Sequence, residues 1–214
     1  MRIFLIRFSI FLSGVVLNYS CSQYRHMQRV QSDESCIQKF KPEFDRVVYR
    51  TSADVVGKHI SGLLFIKFMP DSSTRILFSS ETGLSYFDFG FLPDDEFKVF
   101  QVTPAMNKKS LIRTLRKDFE LILFRNMDSS KHYSLSDSHF VYHAFPQSSG
   151  VNYYVTDSNC LQLVKMQRAS DKKPVMEAFI YGSLPGNSPD SIVIRHLNFN
   201  FTIFLKKVAP LAAQ

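Results

Sequence analysis

Between residues 84 and 91 the chain reads LSYFDFGF, with phenylalanine on every second position. In an extended strand Phe87, Phe89 and Phe91 must share one face, leaving Tyr86, Asp88 and Gly90 on the other. A half-buried strand needs that alternation, and the pattern spreads through most of the chain. FDRVVYRTSADVV, KHISGLLFIKFMP, STRILFSS and EFKVFQV are rich in β-branched and aromatic residues, and short polar turns separate them. HFVYHAF, VNYYV, CLQLVKMQRA and PVMEAFIYG repeat the pattern after residue 138, and SIVIRHLNFNFTIFLKKV closes it after a Gly/Pro/Asn turn at 182–189. In this last run Leu197, Phe199, Phe201, Ile203 and Leu205 alternate with Asn198, Asn200 and Thr202. Strands joined by turns at such spacing predict an antiparallel meander of about 9–10 strands.

One segment breaks the period of two. In MNKKSLIRTLRKDFELILFRN the apolar residues fall at 111, 112, 115, 119, 122 and 123, the spacing of an amphipathic helix over 108–125. Asn107 or Ser110 is expected to cap its start. Lys108, Lys109, Arg113, Arg116 and Lys117 make its outer face basic, which suits either solvent or an anionic headgroup surface or acidic partner. Asp33 to Phe40 reads as a short helix stopped by Pro42, and 126–138 as a polar loop. A sheet with one apolar face and a helix with one apolar stripe must cover each other. The expected fold is therefore α+β, a curved antiparallel sheet under a central amphipathic helix.

The chain has 21 Phe and no Trp. Such a core can be filled solid, or it can line an apolar cavity; in the second case Leu64, Ile66, Phe87, Phe89, Leu115, Phe119, Phe199 and Phe201 are the candidate walls.

The N-terminus bears on location. RFSIFLSGVVLNYSC, Arg7 to Cys21, is a basic start, an apolar run too short to cross a bilayer, and a small residue before a cysteine. We read residues 1–20 as a lipoprotein signal peptide, Cys21 as the lipidated residue, 21–32 as a polar tether and 33–214 as one domain. A soluble exported chain with an incidental cysteine is the other reading. Lys and Arg exceed Asp and Glu by seven; the first 20 residues hold two arginines and no acid, so the remainder carries +5. That charge is dispersed and argues against a nucleic-acid partner. Cys36 and Cys160 are then left either to pair, as an oxidising compartment permits, or to stay as buried thiols.

Nucleophile elbows, phosphate-binding loops, dinucleotide loops and zinc motifs do not occur, so no enzymatic activity, cofactor or metal is expected. His139 and His143 are four apart in what reads as a strand, about 13 Å at 3.3 Å per residue, too far for one ion even with His132 nearby.

The run SGLLFIKFMPDSSTRILFSSETGLSYFDFGFLPDDEFKVFQVTP, with KSLIRTLRKDFELIL and the closing HLNFNFTIFLKK, resembles a group of Gram-negative cell-envelope lipoproteins. In element order the chain is also similar to the lipoprotein-localisation carrier and receptor family. That resemblance implies an unclosed β half-barrel whose concave face holds acyl chains, on a protein tethered to the outer membrane and facing the periplasm. The receptor's protruding apolar loop residue has no clear counterpart, because Pro70–Thr74 and Leu92–Glu96 are mostly polar. Function is expected to be lipid or lipoprotein acyl-chain binding; the alternative is a lipid-anchored structural or interaction protein with a filled core.

Overall fold

A computed structural model describes residues 24–33, 35–55, 57–170, 173–182 and 186–209; residues 1–20 and Cys21 lie outside these. The chain runs β1 (Gln28–Val30), α1 (Ser35–Gln38), β2 (Arg46–Val55), β3 (Lys58–Phe68), β4 (Thr74–Ser79), β5 (Ser85–Phe91) and β6 (Phe97–Val102), then α2 (Lys109–Ile122). After it come β7 (Tyr133–Ser136), β8 (Phe140–Pro146), β9 (Val151–Asp157), β10 (Leu163–Ala169), β11 (Pro174–Tyr181), β12 (Ser191–His196) and β13 (Phe201–Lys207).

All these strands join one antiparallel sheet in the order β1-β7-β8-β9-β10-β11-β12-β13-β2-β3-β4-β5-β6. Local hairpins build two meanders, β2–β6 and β7–β13. The long-range β13–β2 pairing, with Phe201 opposite Val55 and Lys207 opposite Tyr49, zips them together. β6 is one edge of the sheet while β7 lies next to the other, so the connection carrying α2 must cross a face.

The contacts of α2 show that the sheet curls around it. Phe119 packs on Phe87 and Phe91 of β5, with ring centroids 6.2 and 6.3 Å apart. Two residues on, the Leu121 carbonyl accepts the Tyr154 hydroxyl of β9 at 3.2 Å. In strand order β5 and β9 are eight spacings apart, about 38 Å if flat at ~4.8 Å each, against a helix about 10–12 Å wide. Only a strongly curved sheet lets one helix touch both strands, and with β1 and β6 left as its two edges that sheet is an unclosed half-barrel. The opposite, convex face carries a small aromatic cluster in which Tyr24 stacks on Tyr153 at 4.5 Å.

Several expectations need correction. The sheet has thirteen strands among the described residues, not 9–10. β7 forms inside the stretch read as a polar loop, and the last strand is two, broken by a turn at 197–200 where Asn198 and Asn200 supply turn chemistry. Residues 24–30, read as tether, belong to the fold: Tyr24 is buried and β1 pairs with β7. α2 starts at Lys109 with Lys108 at its N-cap, and no side chain caps it. It stops at Ile122 rather than 125, because Phe124 and Asn126 take positive φ (55° and 57°) and Arg125 N–H returns to the Glu120 carbonyl at 2.9 Å. For a bulky residue that left-handed backbone is costly; Phe124 is held there by burial against Tyr154, 4.5 Å between centroids.

Candidate functional site: the two flanks of α2

One flank of α2 is apolar. Leu115 and Phe119 face β2–β5 and β13 across a cavity whose lining includes Ala53, Leu64, Phe78, Phe87, Phe201 and Ile203. No polar surface opens into it. Its free volume is ≈ 30 Å³, room for about two waters and far below the roughly 300–1,000 Å³ of ligand pockets. In this state, therefore, helix and sheet nearly close on each other.

Of the eight candidate wall residues, Leu64, Phe87, Leu115, Phe119 and Phe201 line this cavity. Ile66 and Phe89 are fully buried in the adjoining packed core and are not part of its lining. Phe199 is a correction: it sits in the 197–200 turn, 45 % exposed, with its ring against His196 at 4.8 Å. Alternation had placed it inward, but the strand does not extend that far. Ala53, Phe78, Ile203 and Leu205 also line the cavity and were not singled out, although each lies on the inward set of its strand.

The other flank is polar. Asp118 is 0 % exposed and accepts from Arg168 of β10 and from His196 Nε2 of β12, both at 2.8 Å. A carboxylate removed from water needs such partners, and this one fastens the middle of the helix to two strands. Its signal was in the sequence: Asp118 is i+3 from Leu115 and i−4 from Ile122, on the buried stripe, and His196 follows Ile192 and Ile194 on the inward face. Arg116 Nε donates to Glu120 at 2.6 Å, and its guanidinium lies 5.1 Å over the Phe97 ring. Lys108, Lys109 and Arg113 are exposed, whereas Arg116 and Lys117 are half-buried.

Cys36 of α1 and Cys160 of the β9–β10 turn are disulfide-bonded, closing a separation of 124 residues. Buried His143 lies beside the bridge, with Nε2 3.6 Å from Cys36 Sγ and 3.4 Å from Thr156 Oγ1. Burial pushes its pKa down to about 4, helped by neighbouring His132, whose ring stacks at 5.8 Å. His139 sits apart on an exposed turn.

No family model matches the chain, and no curated protein matches it in sequence. Among solved structures it is similar to a LolA superfamily protein from Nitrosomonas europaea, 8% identical, with a TM-score of 0.44 over 85% of this chain and 96% of that one. A DUF1329 family protein from Desulfovibrio piger is 9% identical, with a TM-score of 0.44 over 81% and 87% of the two chains. A candidate outer membrane lipoprotein-sorting protein domain from Vibrio parahaemolyticus is 5% identical, with a TM-score of 0.45 over 82% and 88%.

Proposed function

We propose that the protein is an envelope lipoprotein that takes an acyl chain between α2 and the concave face of its sheet. The observation that carries this reading is the apolar cavity under Leu115 and Phe119, walled only by apolar surface. At ≈ 30 Å³ it holds no chain as it stands, so loading requires α2 to lift on its apolar flank. The side chains of Leu115 and Phe119 hold no hydrogen bond, so the cost of parting them from the sheet scales with the apolar area exposed, which the ligand's own methylenes cover again. The Cys36–Cys160 disulfide and the signal-like residues 1–20 support an exported location. With Cys21 lipidated, only three residues precede buried Tyr24, a reach of about 10 Å. The anchor would then act as a short leash holding the β1 end of the sheet close to the bilayer.

Native mass spectrometry of the purified protein, together with titration of a fluorescent fatty acid, tests the reading. Saturable uptake by wild type and its loss in Ala53→Phe, which fills the cavity, is the expected result; no uptake by wild type ends it. Labelled palmitate incorporation by wild type but not Cys21→Ala tests the anchor separately. The small free volume equally favours a second reading, a lipid-anchored interaction protein with a filled core, which predicts no uptake by either form.

A further inference from the structure

Beside the polar flank of α2 lies a cleft of ≈ 480 Å³, distinct from the apolar cavity. Four cations border it: Arg113, Arg116 and Lys117 from the helix, and Arg168 from β10. The nearby carboxylates are already engaged, Glu120 with Arg116 and Asp118 with Arg168 and His196. Among the described residues no carboxylate pairs with Arg113 or Lys117, so the cleft keeps an excess of positive charge. Lys117 shows the consequence: burial, then the charge of Arg168, and beyond it Arg113 and Arg116, hold its ammonium below the usual lysine range, with Glu120 only partly offsetting them.

A second observation points into the same cleft. Asn152 of β9 lines it, is 5 % exposed, and has a side-chain oxygen with no hydrogen-bond partner. A buried amide left unmatched costs stability unless something satisfies it; an oxyanion has no proton to offer this oxygen, so Asn152 serves such a ligand only through its –NH2 group, in whichever of the two amide orientations presents it to the cleft. Ser148 and Ser149, in the tight β8–β9 turn, add hydroxyl donors at the rim. Gly150 fixes that turn: its φ is +83°, and a Cβ there would stand 2.2 Å from the Ala169 carbonyl. Guanidinium, ammonium, amide and hydroxyl groups are the donors that an acceptor-only oxyanion requires.

We propose that this cleft binds a phosphate-class oxyanion, the chemistry shared by a lipid headgroup and free phosphate. The site stands independently of whether the apolar cavity accepts a chain. Calorimetric titration of the purified protein with inorganic phosphate, dihexanoyl phosphatidic acid and dihexanoylglycerol tests it. Saturable binding of phosphatidic acid is expected, weakened at least tenfold by Arg113→Gln/Lys117→Gln and by Asn152→Asp. The first pair lies at the helix surface and leaves the core intact should Asn152→Asp disturb folding. Lys58→Gln/Lys67→Gln, which removes the same charge from exposed positions elsewhere, is expected to stay within twofold of wild type. Equal binding of inorganic phosphate identifies a free oxyanion as ligand; binding of phosphatidic acid alone identifies a headgroup. The proposal is overturned if neither phosphate compound saturates, if the Lys58/Lys67 pair loses as much as Arg113/Lys117, or if dihexanoylglycerol binds as well as phosphatidic acid.

Discussion

On one side of α2, Leu115 and Phe119 meet Leu64 and Phe87 with nothing polar between them; on the other, Asp118 holds Arg168 and His196 through two 2.8 Å contacts. The same fourteen-residue helix thus meets the same sheet in two physical ways. Apolar contact sets no directional geometry, so the first flank is the one that the proposed acyl-chain binding would part. Buried charge tolerates no slippage, because any shift leaves Asp118 or its partners unpaired in a low dielectric. If α2 moves as proposed, the polar flank is its pivot and the apolar flank the side that opens.

Removing the pivot carries the largest expected effect. Asp118→Ala strands Arg168 and His196 in the interior and should cost about 3–5 kcal/mol in urea denaturation. A loss under about 1 kcal/mol would mean that the two flanks are not different in kind. On the apolar side, Leu115→Ala enlarges an existing cavity and should cost about 2–3 kcal/mol, the low end for such truncations, while leaving fatty-acid uptake intact or improved.

How far these flanks could be read from sequence depends on which forces set each element. Phe87, Phe89 and Phe91 alternate in LSYFDFGF and all three are buried, because β5 is paired on both sides and Phe119 of α2 packs on the face they share. β1 and β7, with three and four residues, carry too little pattern of their own and exist through their partners. Phe199 kept the alternation past the end of its strand and so misled; two asparagines beside it were the better guide. Asp118 lay on the apolar stripe of α2, yet only the pairing of β13 with β2, which no local signal encodes, curls the sheet enough for one helix to meet both meanders. Nor does any spacing reveal that Asn152 and Lys117 share a cleft.

A third prediction concerns the β8–β9 end of the same concavity. His143 has a folded pKa of about 4 against roughly 6.5 unfolded. Between these values the unfolded chain binds the extra proton, so stability is full above about pH 6.5 and falls as pH drops toward 4, by up to about 3 kcal/mol. His143→Phe should flatten that slope in denaturation curves taken across this range; an unchanged slope assigns it elsewhere. Ala53→Phe adds more side chain than the ≈ 30 Å³ of free space on the apolar flank can take, so it should cost about 1–3 kcal/mol by overpacking while blocking uptake.

The most direct test is photo-crosslinking with a diazirine-bearing fatty acid, followed by mapping of the labelled peptides. Opening of the apolar flank predicts label on the strands and helix turns that contain Leu64, Phe87 and Leu115, competed away by unlabelled palmitate. Label confined to exposed apolar residues such as Leu84 and Leu161, or label that palmitate does not displace, would contradict it.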